Sequence, residues 1–273
     1  MKRFEIGAFT IYSKDEHIDS NQLLNALQNP SISIKKGRAG VKIFLLSGKK
    51  IACRQYVHGG LLRAITGDRF LSPKRALEEM KMLIYLEDVG IPAVRPLCVV
   101  AKKTCFFKRL YLLTFFEEET ENLPEYLASA NERQRMRVFK MAAFLLRALE
   151  LAGIYHRDLH LDNILVKKKI NSKGLLDIDC LMLVDFDRAR FKNITVRDMK
   201  HLFWRLNKYA EKLEKKGVLK IDLKEKLLFL RIYERLSKRP VTDAMKKYYP
   251  FKRLMWRIGW CLESIFYSRN SKI

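Results

Sequence analysis

The sequence predicts an α+β protein of two lobes, the first strand-rich with one helix and the second helix-rich. Three observations predict it. Between Val41 and Phe116, apolar runs of strand length alternate with short polar breaks, and one stretch has helical periodicity. From Asn131 onward helical periodicity dominates. Between them lies the acidic run Glu117-Glu118-Glu119-Thr120, which reads as a connector. The lobes are therefore expected to span residues 1–117 and 118–273. A chain of 273 residues is long enough for one large domain or two packed lobes, and too short for three ordinary domains.

Each element follows from a local pattern. Val41 to Ser47 is an apolar run, Gly48-Lys49-Lys50 a polar turn and Ile51 to Tyr56 a second strand, together a hairpin. Just before it, Lys36-Gly37-Arg38-Ala39-Gly40 is a small glycine-containing loop. A helix is predicted from Ser72-Pro73 to Val89. Ser is a good N-cap, Pro suits the first turn, and Ala76, Met80, Leu83 and Ile84 recur at helical spacing. Gly90-Ile91-Pro92 ends it. Ala93 to Ala101 and Leu110 to Phe116 read as strands. Asn131 to Leu151 has a broad apolar face of Met136, Phe139, Ala142, Ala143, Leu146 and Leu149, and Gly153 closes it. Two short apolar runs, Ile164 to Val166 and Leu181 to Val184, flank a polar, Lys-rich loop. From Thr195 the chain reads as helices.

Composition narrows the function. With 48% hydrophobic residues and few Gly and Pro, the chain is neither disordered nor low in complexity. Lys and Arg number 54 against 30 Asp and Glu, a net charge of +24. Self-repulsion of that size opposes compaction, so it points to a polyanionic partner: nucleic acid, an anionic membrane surface or a phosphorylated substrate. The five Cys, at 53, 98, 105, 180 and 261, lack CxxC spacing and read as buried thiols of a reducing cytoplasm. No apolar h-region opens the chain and no apolar run approaches spanning length, so neither a signal peptide nor a membrane span is expected.

The chemistry lies in His156-Arg157-Asp158-Leu159-His160-Leu161-Asp162-Asn163, followed by Asp185-Phe186-Asp187. Phosphoryl transfer from ATP needs a group to accept the hydroxyl proton, oxygen ligands for magnesium, and cations or amides on the phosphates. The first segment fits the pattern H-R-D-L-x-x-x-N at every specified position, with a helix before it and a strand after it. Asp158 would accept or orient the proton. Asn163 would offer its carbonyl oxygen to Mg²⁺. Asp185, at the end of an apolar strand, is a hard oxygen ligand for the same ion. Asp187 stands where a kinase D-F-G has Gly. Asn163 and Asp185 are 22 positions apart, a gap that Lys167 to Cys180 can absorb as an extended hairpin loop. A lone Asp or Asn in a loop is usually a turn residue; the joint spacing and context favour the functional reading. His156 and His160, at i and i+4, could suggest a zinc pair, but no third ligand stands nearby at convincing spacing.

On the strand Ile51-Ala52-Cys53, Arg54 stands where a kinase carries its phosphate-binding Lys, and guanidinium can hold phosphate oxygens bidentately. Glu79 is the expected helix partner, with Glu78 the alternative, and a solvated charged face the competing account of both. Gly37 and Gly40 are candidates for backbone contacts to ATP, and Glu117, heading the connector, joins the nucleotide-binding set.

These residues resemble the bacterial lipopolysaccharide core kinases, a group of bilobal, protein-kinase-like fold. The features are Arg54-Gln55-Tyr56, Gly59-Gly60-Leu61, Asp68-Arg69-Phe70-Leu71, Arg75-Ala76-x-x-Glu79 and Gly90-Ile91-Pro92-x-x-Arg95-Pro96. Leu112-Leu113-Thr114, Leu123-Pro124-Glu125-Tyr126-Leu127, the catalytic loop and Val184-Asp185-Phe186-Asp187-Arg188 complete them. R-x-Y-x-x-G-G combined with D-F-D-R looks most like the 3-deoxy-D-manno-octulosonic acid (Kdo) kinases. The resemblance implies transfer of the ATP γ-phosphate to the 4-position of Kdo on a lipid A precursor, with Mg²⁺. It also implies peripheral attachment at the cytoplasmic face of the bacterial inner membrane, with Asp158 catalytic. Arg157 and His160 leave the heptose kinases and the aminoglycoside/choline kinase type open. Net positive charge suits a phosphorylated lipid and an anionic membrane, and no nucleic acid is expected as partner. Met245 to Lys272 interleaves basic and aromatic residues, as an interfacial helix does; an ordinary packing helix explains the same stripe.

Overall fold

Alternating burial builds the first sheet. In Val41–Leu46 (β4) and Lys49–Gln55 (β5), Ile43, Phe44, Leu46, Ile51 and Cys53 are buried while Leu45, Lys49 and Lys50 face solvent. The turn joining them is Ser47-Gly48, both at positive φ (48° and 75°), with Leu46 paired to Lys49. Two left-handed residues match the twist of paired strands. Lys49 and Lys50, expected in the turn, are strand residues.

The computed structural model describes residues 1–14, 19–28, 32–34, 40–58, 67–170, 176–246 and 254. They divide into two compact units, residues 1–120 with 182–189, and residues 121–181 with 190–273.

The first unit is an antiparallel sheet of seven strands. In chain order the elements are β1 (Lys2–Ile6), β2 (Phe9–Ser13), α1 (Ser20–Gln28), β3 (Ile32–Ile34), β4, β5, α2 (Lys74–Asp88), β6 (Pro96–Thr104) and β7 (Phe107–Phe115). The spatial order is β1-β2-β6-β7-β5-β4-β3. Leu23 and Leu24 of α1 pack with Ile11, Phe44, Ile51, Cys53, Cys98, Val100 and Leu113 in one core. Helix α2 packs on β6 and β7. Pro96 to Ala101 is buried throughout, as expected of a strand covered on both faces. Pro73, rather than Ser72, occupies the N-cap of α2, and Ser72 Oγ accepts from the Lys74 N–H at 3.2 Å. Residues 182–189 join this unit through Leu183, whose N–H donates to Pro92 O at 3.0 Å and whose carbonyl accepts from Val94 at 3.2 Å.

The second unit is mainly helical. Its elements are β8 (Thr120–Asn122), α3 (Leu123–Ser129), α4 (Glu132–Leu151), β9 (Ile154–His156), a 3₁₀ turn at Leu161–Asn163, β10 (Ile164–Ile170), β11 (Leu176–Leu183), β12 (Ala189–Phe191), α5 (Val196–Lys215), α6 (Leu223–Ser237) and α7 (Val241–Lys246). Strands β8, β10 and β11 form one small sheet, and β9 pairs with β12. The Lys-rich stretch expected as loop is thus largely strand, with 171–175 outside the described residues. Asn131 caps α4 through a reciprocal bond pair with Gln134, and Thr195 caps α5 likewise with Asp198. Gly153 follows α4 at φ +66°, a conformation that disfavours a side chain. Helix α4 packs on α6, and its buried Glu150 accepts at Oε2 from Arg147 and the Tyr233 hydroxyl and meets Arg239 as an ion pair at Oε1, each at 2.6 Å. A buried carboxylate without those cations would cost several kcal/mol, roughly 3–5 for a broken buried pair. Nearly all of Met245 to Lys272, read as a candidate interfacial helix, lies outside the described residues.

Candidate active site

In the first unit the strand period sets the site. Ile51 and Cys53 of β5 point into the core, so Ala52, Arg54 and Tyr56 share the other face. In α2, Arg75 and Glu79 are one turn apart on one face. Arg54 bridges two carboxylates, donating through Nη2 to Glu79 Oε2 and through Nη1 to Asp185 Oδ1. Glu79 is 3% exposed and collects two further donors, the Tyr56 hydroxyl and the Phe186 N–H at 3.1 Å. Glu78 is exposed and faces Lys74 at 3.8 Å, and Glu79 is the residue that meets Arg54.

Electrostatics follow from this geometry. Burial pushes the Glu79 carboxyl above the ordinary Glu range, and Arg54 pulls it back. Burial alone would lower Arg54, but Glu79 and Asp185 hold its guanidinium firmly protonated. Burial, then the Glu79 charge, push the Tyr56 phenol up, which keeps it a donor.

Asp185 sits at φ +63°, a left-handed conformation rare outside Gly, and such positions cluster at functional sites. Its side chain is 44% exposed where it meets Arg54. Asp187 takes a forked pair from Arg75, Nε to Oδ1 and Nη2 to Oδ2. The Arg75 guanidinium also lies over the rings of Tyr56 (5.5 Å) and Phe70 (5.6 Å). His58 stacks on Phe70 at 4.2 Å, and Asp68 accepts from Gln55 at 2.7 Å. The segment Asp68-Arg69-Phe70 is thereby tied to β5.

The remaining nucleotide-site candidates of this unit lie elsewhere along the chain. Gly40 opens β4 at φ +68°. Gly37, Gly59 and Gly60 lie outside the described residues. Glu117 ends β7 with its side chain accepting from Arg95 Nε at 3.2 Å, and its carbonyl takes the Thr120 hydroxyl at 2.9 Å.

In the second unit the loop after β9 carries Asp158. Leu159 and Leu161 are buried and pin it. The Asn163 side-chain amide donates through Nδ2 to the Asp158 carbonyl at 3.2 Å, which leaves Oδ1 as the acceptor end of that group. Asn163 is 6% exposed, whereas the Asp158 side chain is 46% exposed. Arg205 of α5 donates to Asp158 Oδ1 at 3.3 Å. One turn on, the Tyr209 hydroxyl donates to Asp162 and its ring stacks on His160 at 4.8 Å. His160 is thus ring-packed, and among the described residues no group of three or more His, Cys, Asp or Glu is placed to hold a metal ion.

Sequence reasoning missed Arg205, Tyr209 and the Arg75–Asp187 pair. The first two lie on a helix far along the chain, and no local spacing marks them. The pair was partly legible, since Arg75 and Asp187 were each singled out without being joined.

The chain matches the family model described as "Lipopolysaccharide kinase (Kdo/WaaP) family" over residues 24–233. No curated protein matches it by sequence. Among solved structures it is similar to the one titled "WaaP in complex with acyl carrier protein", with a TM-score of 0.58 and 16% identity over 90% of this chain and 97% of that chain. At that identity the likeness is one of fold, and it is a protein-kinase-like fold.

Proposed function

From the premise that this chain belongs to the lipopolysaccharide kinase (Kdo/WaaP) family, we propose that it transfers the γ-phosphate of ATP to the 4-hydroxyl of Kdo on a lipid A precursor. Membership in a kinase family makes it a phosphotransferase of lipopolysaccharide synthesis; the Kdo acceptor is the finer reading. The observation that supports the reading is the Arg54 bridge between Glu79 and Asp185.

Each residue has a separate task. Asp158 accepts the acceptor hydroxyl's proton as the new O–P bond forms and the bond to the ADP oxygen breaks. Arg54 offers guanidinium N–H groups to phosphate oxygens, and Glu79 holds it in place. Asp185 and Asn163 would each offer Mg²⁺ an oxygen: a carboxylate and an amide oxygen are hard donors of the kind such an ion takes beside phosphates. When bound, the metal supplies charge neutralisation on the transferring group.

Kdo is favoured by R-x-Y together with D-F-D-R. The His156-Arg157-Asp158 loop supports the second reading, a heptose kinase of the same pathway. A small cationic acceptor of the aminoglycoside or choline type fits poorly with a net charge of +24. The charge suits peripheral binding at the cytoplasmic face of the inner membrane, and no described helix is long and apolar enough to cross one. Acyl carrier protein, the partner in the WaaP structure, is a candidate partner to test by co-purification.

The test is an acceptor panel. Kdo-bearing and heptose-bearing lipid A precursors and an aminoglycoside are incubated with ATP and Mg²⁺, and products are located by phosphorus NMR. Phosphate on the Kdo 4-oxygen is the expected result. Phosphate on heptose selects the second reading, and no product on either glycolipid, from folded protein that binds ATP, sinks both.

A further inference from the structure

We propose that the outward face of α5 is a phosphate-reading track for the acceptor, running from the proton-accepting Asp158. The proposal rests on the glycolipid-kinase reading and names how the acceptor is recognised.

The track is set by helical spacing. Arg197, Arg205, Lys208 and Lys212 fall within an arc of about 80° at 100° per residue. Met199, Leu202, Phe203, Ala210 and Leu213 are buried and occupy the opposite side. His201 lies within the basic arc, and no acid does. An ordinary solvated face mixes signs and gains from i, i+4 pairs of opposite charge. Here Arg205 and Lys208 are i, i+3 and Lys208 and Lys212 are i, i+4, both like-charged and mutually repelling. An anionic ligand lying along the helix would relieve that repulsion.

The position of the face gives it meaning. Arg205 donates to Asp158 Oδ1 at 3.3 Å and is 37% exposed, so one cation of the arc already touches the reacting carboxylate. Among the described residues, Arg197, Lys208 and Lys212 pair with no carboxylate. Arg205 and Lys212 are separated by about 10 Å along the axis at 1.5 Å per residue. A compact anion cannot span that distance. A glycolipid carrying a sugar acid and separate phosphates can. The occupant inferred is therefore the phosphorylated acceptor, with its sugar acid at Arg205 and a phosphate at Lys208 and Lys212.

The test compares the double variant Lys208→Ala/Lys212→Ala with Arg231→Ala/Arg235→Ala, which removes two exposed charges from α6. Kinetics are measured on a Kdo-bearing lipid A precursor with its phosphates and on the same lipid dephosphorylated. The α5 variant should raise KM about tenfold for the phosphorylated acceptor only, with kcat and the KM for ATP within twofold; the α6 variant should match wild type. Equal effects of the two variants, or an equal loss on the dephosphorylated lipid, overturn the proposal. An α5 variant with unchanged acceptor KM but weakened binding to phosphatidylglycerol vesicles also overturns it and assigns the face to the membrane. If wild type phosphorylates neither lipid, the Kdo reading fails separately. The track is then judged by binding of bisphosphorylated lipid A precursor in detergent micelles. There a fivefold or greater weakening in the α5 variant supports it, and equal binding overturns it.

Discussion

Asp187→Ala should uncouple α2 from the strand end that carries Asp185. Asp187 takes a forked ion pair from Arg75, and Arg75 sits one turn before Glu79, the carboxylate that holds Arg54. The magnitude follows from exposure. The Arg75 and Asp187 side chains are 32% and 16% exposed. That is neither a surface pair, worth about 0–1 kcal/mol, nor a fully buried one, whose rupture costs about 3–5 kcal/mol. Screening at this exposure places the coupling at about 1.5 kcal/mol, roughly tenfold in an equilibrium constant. The assay is a double-mutant cycle of Arg75→Ala and Asp187→Ala, read by denaturant unfolding and by kcat/KM for ATP. The cycle should return that coupling in stability, and kcat/KM should fall up to tenfold in each single variant with little further loss in the double. Effects that add within about 0.5 kcal/mol would refute the coupling. So would Asp187→Gly, the ordinary kinase residue, if it keeps wild-type activity and stability.

Three further outcomes are expected. Burial pushes Cys53 up to about 12, with Lys42 opposing, and pushes Cys98 higher still, so native alkylation followed by mass spectrometry should label exposed Cys105 and spare Cys53 and Cys98 until unfolding; fast native labelling of either would contradict the described core. Gly153→Ala puts a side chain at φ +66° and a Cβ 3.4 Å from Lys192 O. It should cost about 1–2 kcal/mol and lower Tm by a few degrees in calorimetry, and an unchanged Tm would count against the left-handed turn. Glu79, raised by burial against the pull of Arg54, binds its proton more tightly folded than unfolded. Its contribution is present below the unfolded value and lost as pH rises through the folded one. Glu79→Gln should therefore flatten the fall in stability just above the ordinary Glu range, and superimposable pH curves would show that Glu79 is not perturbed.

What the sequence made legible was whatever physics is local. The β4–β5 hairpin, the helical stretches that begin near Asn131 and Thr195 and the glycine stop at Gly153 can each be read within a few residues, and each is present. The turn was misplaced because Gly48 drew attention to the residues after it, whereas the paired left-handed geometry needs Ser47 as well. Helix α1 escaped because nothing chemical marks Ser20–Gln28, although it covers the first core. Lys167 to Cys180 looked like loop because its lysines read as solvated; on an exposed hairpin they are equally at home, as Lys168 with Glu121 and Lys169 with Asp179 show. The Arg54–Glu79 pairing was anticipated by kinase-like spacing. Arg205 was not, because its partner Asp158 lies 47 residues away and only tertiary packing joins them.

The proposed reaction stands or falls with Asp158. Single-turnover phosphorylation of a Kdo-bearing lipid A precursor, followed by mass spectrometry with ATP binding measured in parallel, should show one phosphate added by the wild type. In Asp158→Asn the rate should drop by about 10²–10⁴-fold with nucleotide affinity kept. A variant that transfers phosphate at the wild-type rate would contradict the assignment of Asp158 as proton acceptor.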